Sequence, residues 1–333
     1  MHKMKNQLME KVIAADLTSV EFDVYMYLFS IQDRYGQITG VYYKDVLEQT
    51  KVRDCSGDVI EDVTVRERSK YSFYLALEGL TKKGLIRTSK SHAADIDVTI
   101  MGSSFYHDER YIDYTALNKA MLFSPAFRSM KVKAKLLALE LLQLIGKQEK
   151  HGSISYLIGT EEFYKKYTKK LKVAKRAIQH YLTQLRKFFN IHIKDHKYMI
   201  KNLRWAVTNE GLPSENQHTA EHVLRMLFRR EKIRQYPDQD LQDMVRTLIN
   251  CEEQFTQTSD EGAVTKREAV CEHRAINAMS RAVKNAVSRI CGRKNPVPKP
   301  NWIQKNLNEV LEAFGKEVGA AEAKRKTPAS ARV

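Results

Sequence analysis

A mainly α fold with small β ribbons (α+β) is what three observations predict for this 333-residue chain. First, one order of patterns occurs twice: a helix, a short helix, a longer helix and an alternating hairpin. Second, alternation at Ile96, Val98 and Ile100 and the string "NIHIKDHKYMIK" read as β hairpins. Third, only helical patterns recur beyond residue 203. The implied domains are 1–104, 105–202 and a helical region at 203–318, followed by a basic tail at 319–333 that is expected to be disordered.

In the first copy, a helix over Thr18–Tyr35 carries Phe22, Tyr25, Leu28 and Phe29 as its apolar stripe. A break at "YGQITG" leads to a short helix over Tyr43–Thr50. A longer helix follows over Ser69–Ile86, with Phe73, Leu77 and Leu80 at i, i+4 and i+7 and Gly84 placed to end it. Ile96, Val98 and Ile100 then alternate, which reads as a two-stranded ribbon around a polar tip.

The second copy opens with a long helix over about Ala126–Lys150. "HGSIS" at 151–155 echoes "YGQIT" at 35–39, and a short helix covers Thr160–Thr168. In "KVAKRAIQHYLTQLRKFFNIHI", Ile178, Leu182 and Leu185 answer Phe73, Leu77 and Leu80. "NIHIKDHKYMIK" closes as a hairpin with its tip at Lys194–Lys197. The offset between copies falls from 116 to 105 residues, so the first copy holds about a dozen extra residues around 52–68.

Charge is unevenly spread along this chain of net charge +16. Residues 1–104 hold 14 Lys/Arg against 15 Asp/Glu, residues 105–202 hold 20 against 8, and residues 203–333 hold 22 against 17. A basic middle segment beside a neutral first one points to a localised polyanion site, with nucleic acid as the leading candidate. No apolar run is long enough for a membrane span and no amphipathic anchor stands out, so no membrane partner is expected. The start lacks the apolar core of a signal peptide, and four scattered cysteines fit a reducing cytoplasm.

The repeated order, with "YLALEGLTKKGLI" running into a ribbon, resembles the winged helix-turn-helix family over about 18–101 and 127–201. The resemblance implies two tandem winged-helix domains with β-wings and double-stranded DNA as partner. In the second copy, Lys172, Lys175, Arg176, Gln179, His180, Thr183, Arg186 and Lys187 share one polar arc, opposite an arc with Ala174, Ile178, Tyr181, Leu182, Leu185 and Phe188. Arg176 suits guanine and Gln179 adenine, Lys172, Lys175, Arg186, Lys187 and the wing residues Lys194 and Lys197 suit the backbone, and His196 joins the DNA-binding set at the wing tip. The first copy is poorer for DNA: Tyr71, Tyr74, Leu75, Glu78 and Lys82 lie opposite Phe73. Secondary contacts there fall to Ser69, Lys70, Ser72 and Lys90.

Tandem winged helices in one basic chain also resemble plasmid and phage replication initiators. That likeness implies repeated origin sites gripped by the second copy, a homodimer or higher assembly on DNA mediated by the first, and contacts with host replication proteins. The location it implies is the cytoplasm, on the nucleoid. The alternative is a dimeric winged-helix transcriptional regulator.

A more distant alternative, zinc peptidase chemistry, comes from "HTAEH", His218 to His222, an H-x-x-E-H string with Glu221 as its base. Cys271 and His273 lack a CxxC partner. No phosphate-cradling Gly-rich loop occurs, and no cofactor, metal or catalytic residue is expected. "TAEHVLRMLFRREKIRQY" reads as one helix stopped by Pro237, with Arg225, Arg229, Arg230 and Arg234 along it. Further helices are expected at about 238–256, 263–291 and 300–318.

Overall fold

The computed structural model describes residues 2–246 apart from 33–34, 51–68, 94, 104–112, 151–154, 204–216, 231 and 234–235. The insertion at 52–68, Arg234, the pair at 271 and 273, the helices expected beyond residue 246 and the tail lie outside the described residues. The chain divides into two compact units, Met1–Leu212 and Pro213–Val333. Helices and small antiparallel sheets make up the described part of the first.

The N-terminal strand β1 (His2–Lys5) pairs with β5 (Tyr114–Leu117), in the register His2↔Leu117 to Lys5↔Tyr114. Between them comes the whole first repeat, so this sheet closes a loop of more than a hundred residues. The turn into α1 (Asn6–Ala14) is fixed by Asn6, whose N–H donates to Asp113 O (2.9 Å) and whose Oδ1 accepts from Thr115 Oγ1 (2.6 Å). Leu8, Met9, Val12 and Ile13 form the buried face of α1.

The first repeat comprises α2 (Ser19–Ile31), β2 (Gln37–Val41), α3 (Tyr43–Thr50), α4 (Lys70–Lys82), β3 (Ile86–Ser89) and β4 (Ile96–Ile100). Thr18 and Glu21 form a reciprocal capping box that starts α2. Ser69 caps α4 by accepting from Ser72 N–H. At the other end of α4, Lys83 N–H donates to Gly79 O, Gly84 N–H to Thr81 O and Leu85 N–H to Leu80 O, at 2.9–3.0 Å. Gly84 sits at φ +66°, so this is the left-handed stop that its sequence position predicts. The sheet order is β2–β4–β3.

The second repeat comprises α7 (Val132–Lys150), β6 (Tyr156–Gly159), α8 (Thr160–Leu171), α9 (Lys175–Leu185), β7 (Phe189–Lys194) and β8 (Lys197–Asn202), with sheet order β6–β8–β7. It therefore has the same element order and the same strand order as the first. Two short helices, α5 (Lys119–Phe123) and α6 (Pro125–Arg128), connect the repeats.

Several expectations are corrected. The helix expected over 126–150 is two helices, because Ser124 and Pro125 start α6 and the chain turns at 129–131 before α7 begins. The break at 35–40 contains strand β2. In the second repeat the corresponding strand begins at Tyr156, one residue after the echo string. α2 is buried well beyond its four-residue stripe, since Val24, Met26, Tyr27 and Ile31 are also covered.

One continuous core takes residues from both repeats, from Met4 to Ile200. α2 packs on α3 and α4, and α7 packs on α9, β6 and β8 as well as on α1 and β5. Leu136, Leu137, Leu139 and Leu141 of α7 are fully buried, each contributing about 1.5–3 kcal/mol from area removed from water.

In the second unit, α10 (Gln217–Arg230) ends at Arg230, not at Pro237. Ile233 N–H donates to Phe228 O (2.8 Å) and Lys232 takes φ +59°, which turns the chain out of the helix. Pro237 instead opens the next helical stretch, 238–246, where its carbonyl accepts from Leu241 N–H (3.1 Å).

Candidate nucleic-acid interface

α9 divides cleanly into two faces. Ile178, Tyr181, Leu182 and Leu185 are buried, and Lys175, Arg176, Gln179, His180 and Thr183 are exposed. The buried side packs on α7, which fixes the direction of the exposed side. Eleven residues at 1.5 Å each give roughly 16 Å of helix, a length that the major groove admits. From Phe163 to Lys194 the chain contains no aspartate or glutamate.

Three sequence-derived residues sit beside α9, not on it. Lys172 is the C-cap of α8 at φ +52°, in the turn before α9, and Arg186 and Lys187 lie in the turn after it. All three are exposed. Ala174, expected on the apolar arc, is instead exposed at the N-cap of α9, where it has no side chain that can accept from the first turn. A phosphate oxygen is a natural partner for such N–H groups.

The β7–β8 hairpin turns through two residues, Asp195 (φ +48°) and His196 (φ +58°), the geometry of a two-residue turn matched to strand twist. Lys194 and Lys197 are directly opposite each other at the last pair. Two like charges there repel, a cost that an anion relieves. His196 is exposed in the turn itself, directly after Asp195 in sequence. The hairpin is tied to the start of α8, where Thr160 N–H donates to His196 O (2.9 Å).

Not all of the local positive charge faces outward. Lys166 and Lys170 of α8 reach the buried Glu140 carboxylate of α7, at 3.2 and 2.7 Å. Burial, with Glu140 as the next cause, raises the pKa of the neighbouring Tyr167 and Tyr156 hydroxyls. Lys165 and Lys169, on the same helix, remain exposed. The sequence reading left them out, although the i, i+4 spacing of "KKYTKK" separates the two pairs by face.

The Lys175 ammonium lies 4.7 Å from the centre of the Tyr164 ring. The Tyr164 and Tyr198 hydroxyls are 2.6 Å apart. Burial, then the hydrogen bond shared with Tyr164, holds the Tyr198 pKa well above the ordinary phenol value, against the opposing pull of Arg186. Tyr198 therefore stays uncharged at neutral pH. Neither tyrosine was singled out from the sequence.

The equivalent face of α4 is different. Tyr71 (76% exposed), Tyr74 and Leu75 (53%) stand out into solvent. Glu78 is paired with Lys82 at 2.6 Å, and the hydrogen bond from Lys82 lowers its pKa. Lys70 lies over the Tyr43 ring, 5.5 Å from its centre. Ser69 and Ser72 are engaged in the helix cap, where Ser72 Oγ donates to Ser69 O (2.7 Å). Lys90 is exposed just after β3.

Glu221 and His222 of the H-x-x-E-H string are buried on α10, where Glu221 Oε1 accepts from Arg225 Nε (2.8 Å). His218 lies within the first turn of that helix. Among the described residues no group of three or more His, Cys, Asp and Glu is placed to hold a metal ion. Nor is any helix there long and apolar enough to cross a membrane. Comparison with protein-family models, with curated proteins and with solved structures returns no match for this chain.

Proposed function

We propose that this chain is a non-catalytic, double-stranded DNA-binding protein with two winged-helix repeats, the second of which reads DNA. The observation that carries the reading is the exposed, acid-free face of α9, set beside a rigid hairpin whose tip carries Lys194 and Lys197. The repeated order of helix, strand, helix, helix and hairpin supports it, because that order is the winged helix-turn-helix plan. Arg176 and Gln179 are the base-reading residues. Lys172, Lys175, Arg186, Lys187, Lys194 and Lys197 position the protein through phosphates.

The unequal faces of α4 and α9 support a division of labour. The tyrosines and leucine of α4 suit a protein partner, a second copy of this chain, better than a phosphate-lined groove. Within that reading the protein is a replication initiator that binds repeated sites.

Fluorescence anisotropy with labelled duplex tests the DNA face. Lys175→Ala/Arg176→Ala should weaken binding by roughly 1–3 kcal/mol and lower the salt slope by about one, for the phosphate contact of Lys175. Lys70→Ala should change little, and equal effects from both would sink the division of labour. Footprinting along DNA that flanks the protein's own gene then separates an initiator, with several evenly spaced direct repeats, from a regulator, with one two-fold-symmetric site.

A further inference from the structure

We propose that Tyr164 and Tyr198 are positioning residues for DNA recognition: together they clamp the hairpin to α8 and hold the Lys175 ammonium at the entry of α9. The inference rests on the DNA-binding reading and adds a residue class to it, since neither tyrosine is basic or lies on α9.

Exposure and connectivity carry the argument. Lys175 is exposed, Tyr164 half-buried and Tyr198 buried, so the contacts run inward from the surface to the sheet. Tyr198 belongs to β8, the central strand, where it pairs with Ile158 of β6 and with Ile193 of β7. Its ring packs 5.1 Å from Phe163, which anchors it in the core of the repeat. The hydroxyl contact at 2.6 Å then passes that anchorage to Tyr164, and the Tyr164 face passes it to the ammonium 4.7 Å away. A cation over an aromatic face is attracted by the ring quadrupole, so the long lysine is held before any phosphate arrives. Ordering it in advance reduces what binding loses in side-chain freedom. The same clamp fixes the spacing between α9 and the hairpin, which both have to meet one duplex.

The test is a double-mutant cycle on duplex affinity, with a free-protein measurement beside it. Tyr164→Leu should weaken binding about five-fold, and Tyr164→Phe, which keeps the ring but loses the contact with Tyr198, should recover only part of that loss. In a Lys175→Ala background, Tyr164→Leu should cost clearly less, because only the hairpin spacing is then still lost. By NMR, the Lys175 ε-methylene protons of the free protein should be shifted upfield by the Tyr164 ring and should lose the shift in Tyr164→Leu. Thermal melts confirm that each variant is folded, and Tyr164→Phe keeps the cycle interpretable if the leucine variant is not. No upfield shift overturns the clamp whatever DNA does. A shift with equal losses in both backgrounds overturns the positioning role and leaves DNA binding standing. A wild-type protein that shows the shift but ignores duplex overturns the DNA reading and, with it, this role.

Discussion

Glu21 shows how much one side chain organises. Its carboxylate accepts from Thr18 N–H (2.7 Å) at the start of α2 and from Lys83 Nζ (2.6 Å) just past the end of α4. Gly79 makes the approach possible, because a Cβ there would run into the Glu21 carboxylate. Burial alone raises the pKa, yet the Lys83 and Thr18 hydrogen bonds outweigh it and the net shift is downward. A depressed carboxylate contributes stability that is present above its unfolded pKa and lost as pH falls through the folded one. Glu21→Gln should therefore cost about 1–3 kcal/mol at neutral pH. The gap from wild type should close below the ordinary carboxylate range. Urea melts at pH 7 and pH 3 check this, and a gap independent of pH would remove the ion pair from the account. Gly79 and Glu21 are 58 positions apart, so sequence periodicity on either helix gives no sign of their contact.

At the scale of elements, the stops and turns make the strongest statements. Gly84 has open space around its missing Cβ, so Gly84→Ala meets no clash and is penalised only by its φ of +66°. A loss of about 1 kcal/mol should follow, read as a lowered melting temperature with unchanged helix content. The hairpin tip predicts the reverse, since His196→Gly removes a side chain from a left-handed position and should stabilise the β7–β8 pair by about as much. If His196 meets DNA, that variant melts higher and binds more weakly. Elements with local signals were legible in the sequence: α3, α4, α9 and both hairpins follow from periodicity, a glycine stop or alternation. β1 and β5 were not, because two four-residue strands pair across a hundred residues with no turn between them to announce it. The split of α6 from α7 was missed for a related reason, as leucine density in α7 masked the Ser-Pro start of a separate helix. On the site itself, the polar arc picked out the exposed residues of α9. Lys172, Arg186 and Lys187 proved to be in turns because a helical wheel carries no information on where a helix ends.

The first unit as a whole is held by a seam between its repeats. Lys135 of α7 is fully buried, and its ammonium lies 2.8 Å from Asp23 of α2 and 5.5 Å from the centre of the Phe22 ring. Around this pair, Lys133 bonds Asp16, Gln143 donates to Glu10 (3.0 Å), and β1 pairs with β5. Burying an ammonium is tolerable only while its carboxylate stays in place, so Asp23→Ala leaves a charge without its main partner at the junction of the repeats. That change should cost roughly 3–5 kcal/mol, whereas Asp23→Leu/Lys135→Met, which removes both charges, should lie much closer to wild type. Because the core is continuous across the seam, the loss should reach both repeats. Hydrogen exchange on Asp23→Ala should speed up in the β3–β4 and β7–β8 hairpins together and by similar factors. Faster exchange in the β3–β4 hairpin alone would mean that the repeats unfold independently, and the seam would then be a contact between two domains. Faster exchange in both makes the seam the device that presents α4 and α9 from a single rigid body, each with its own face.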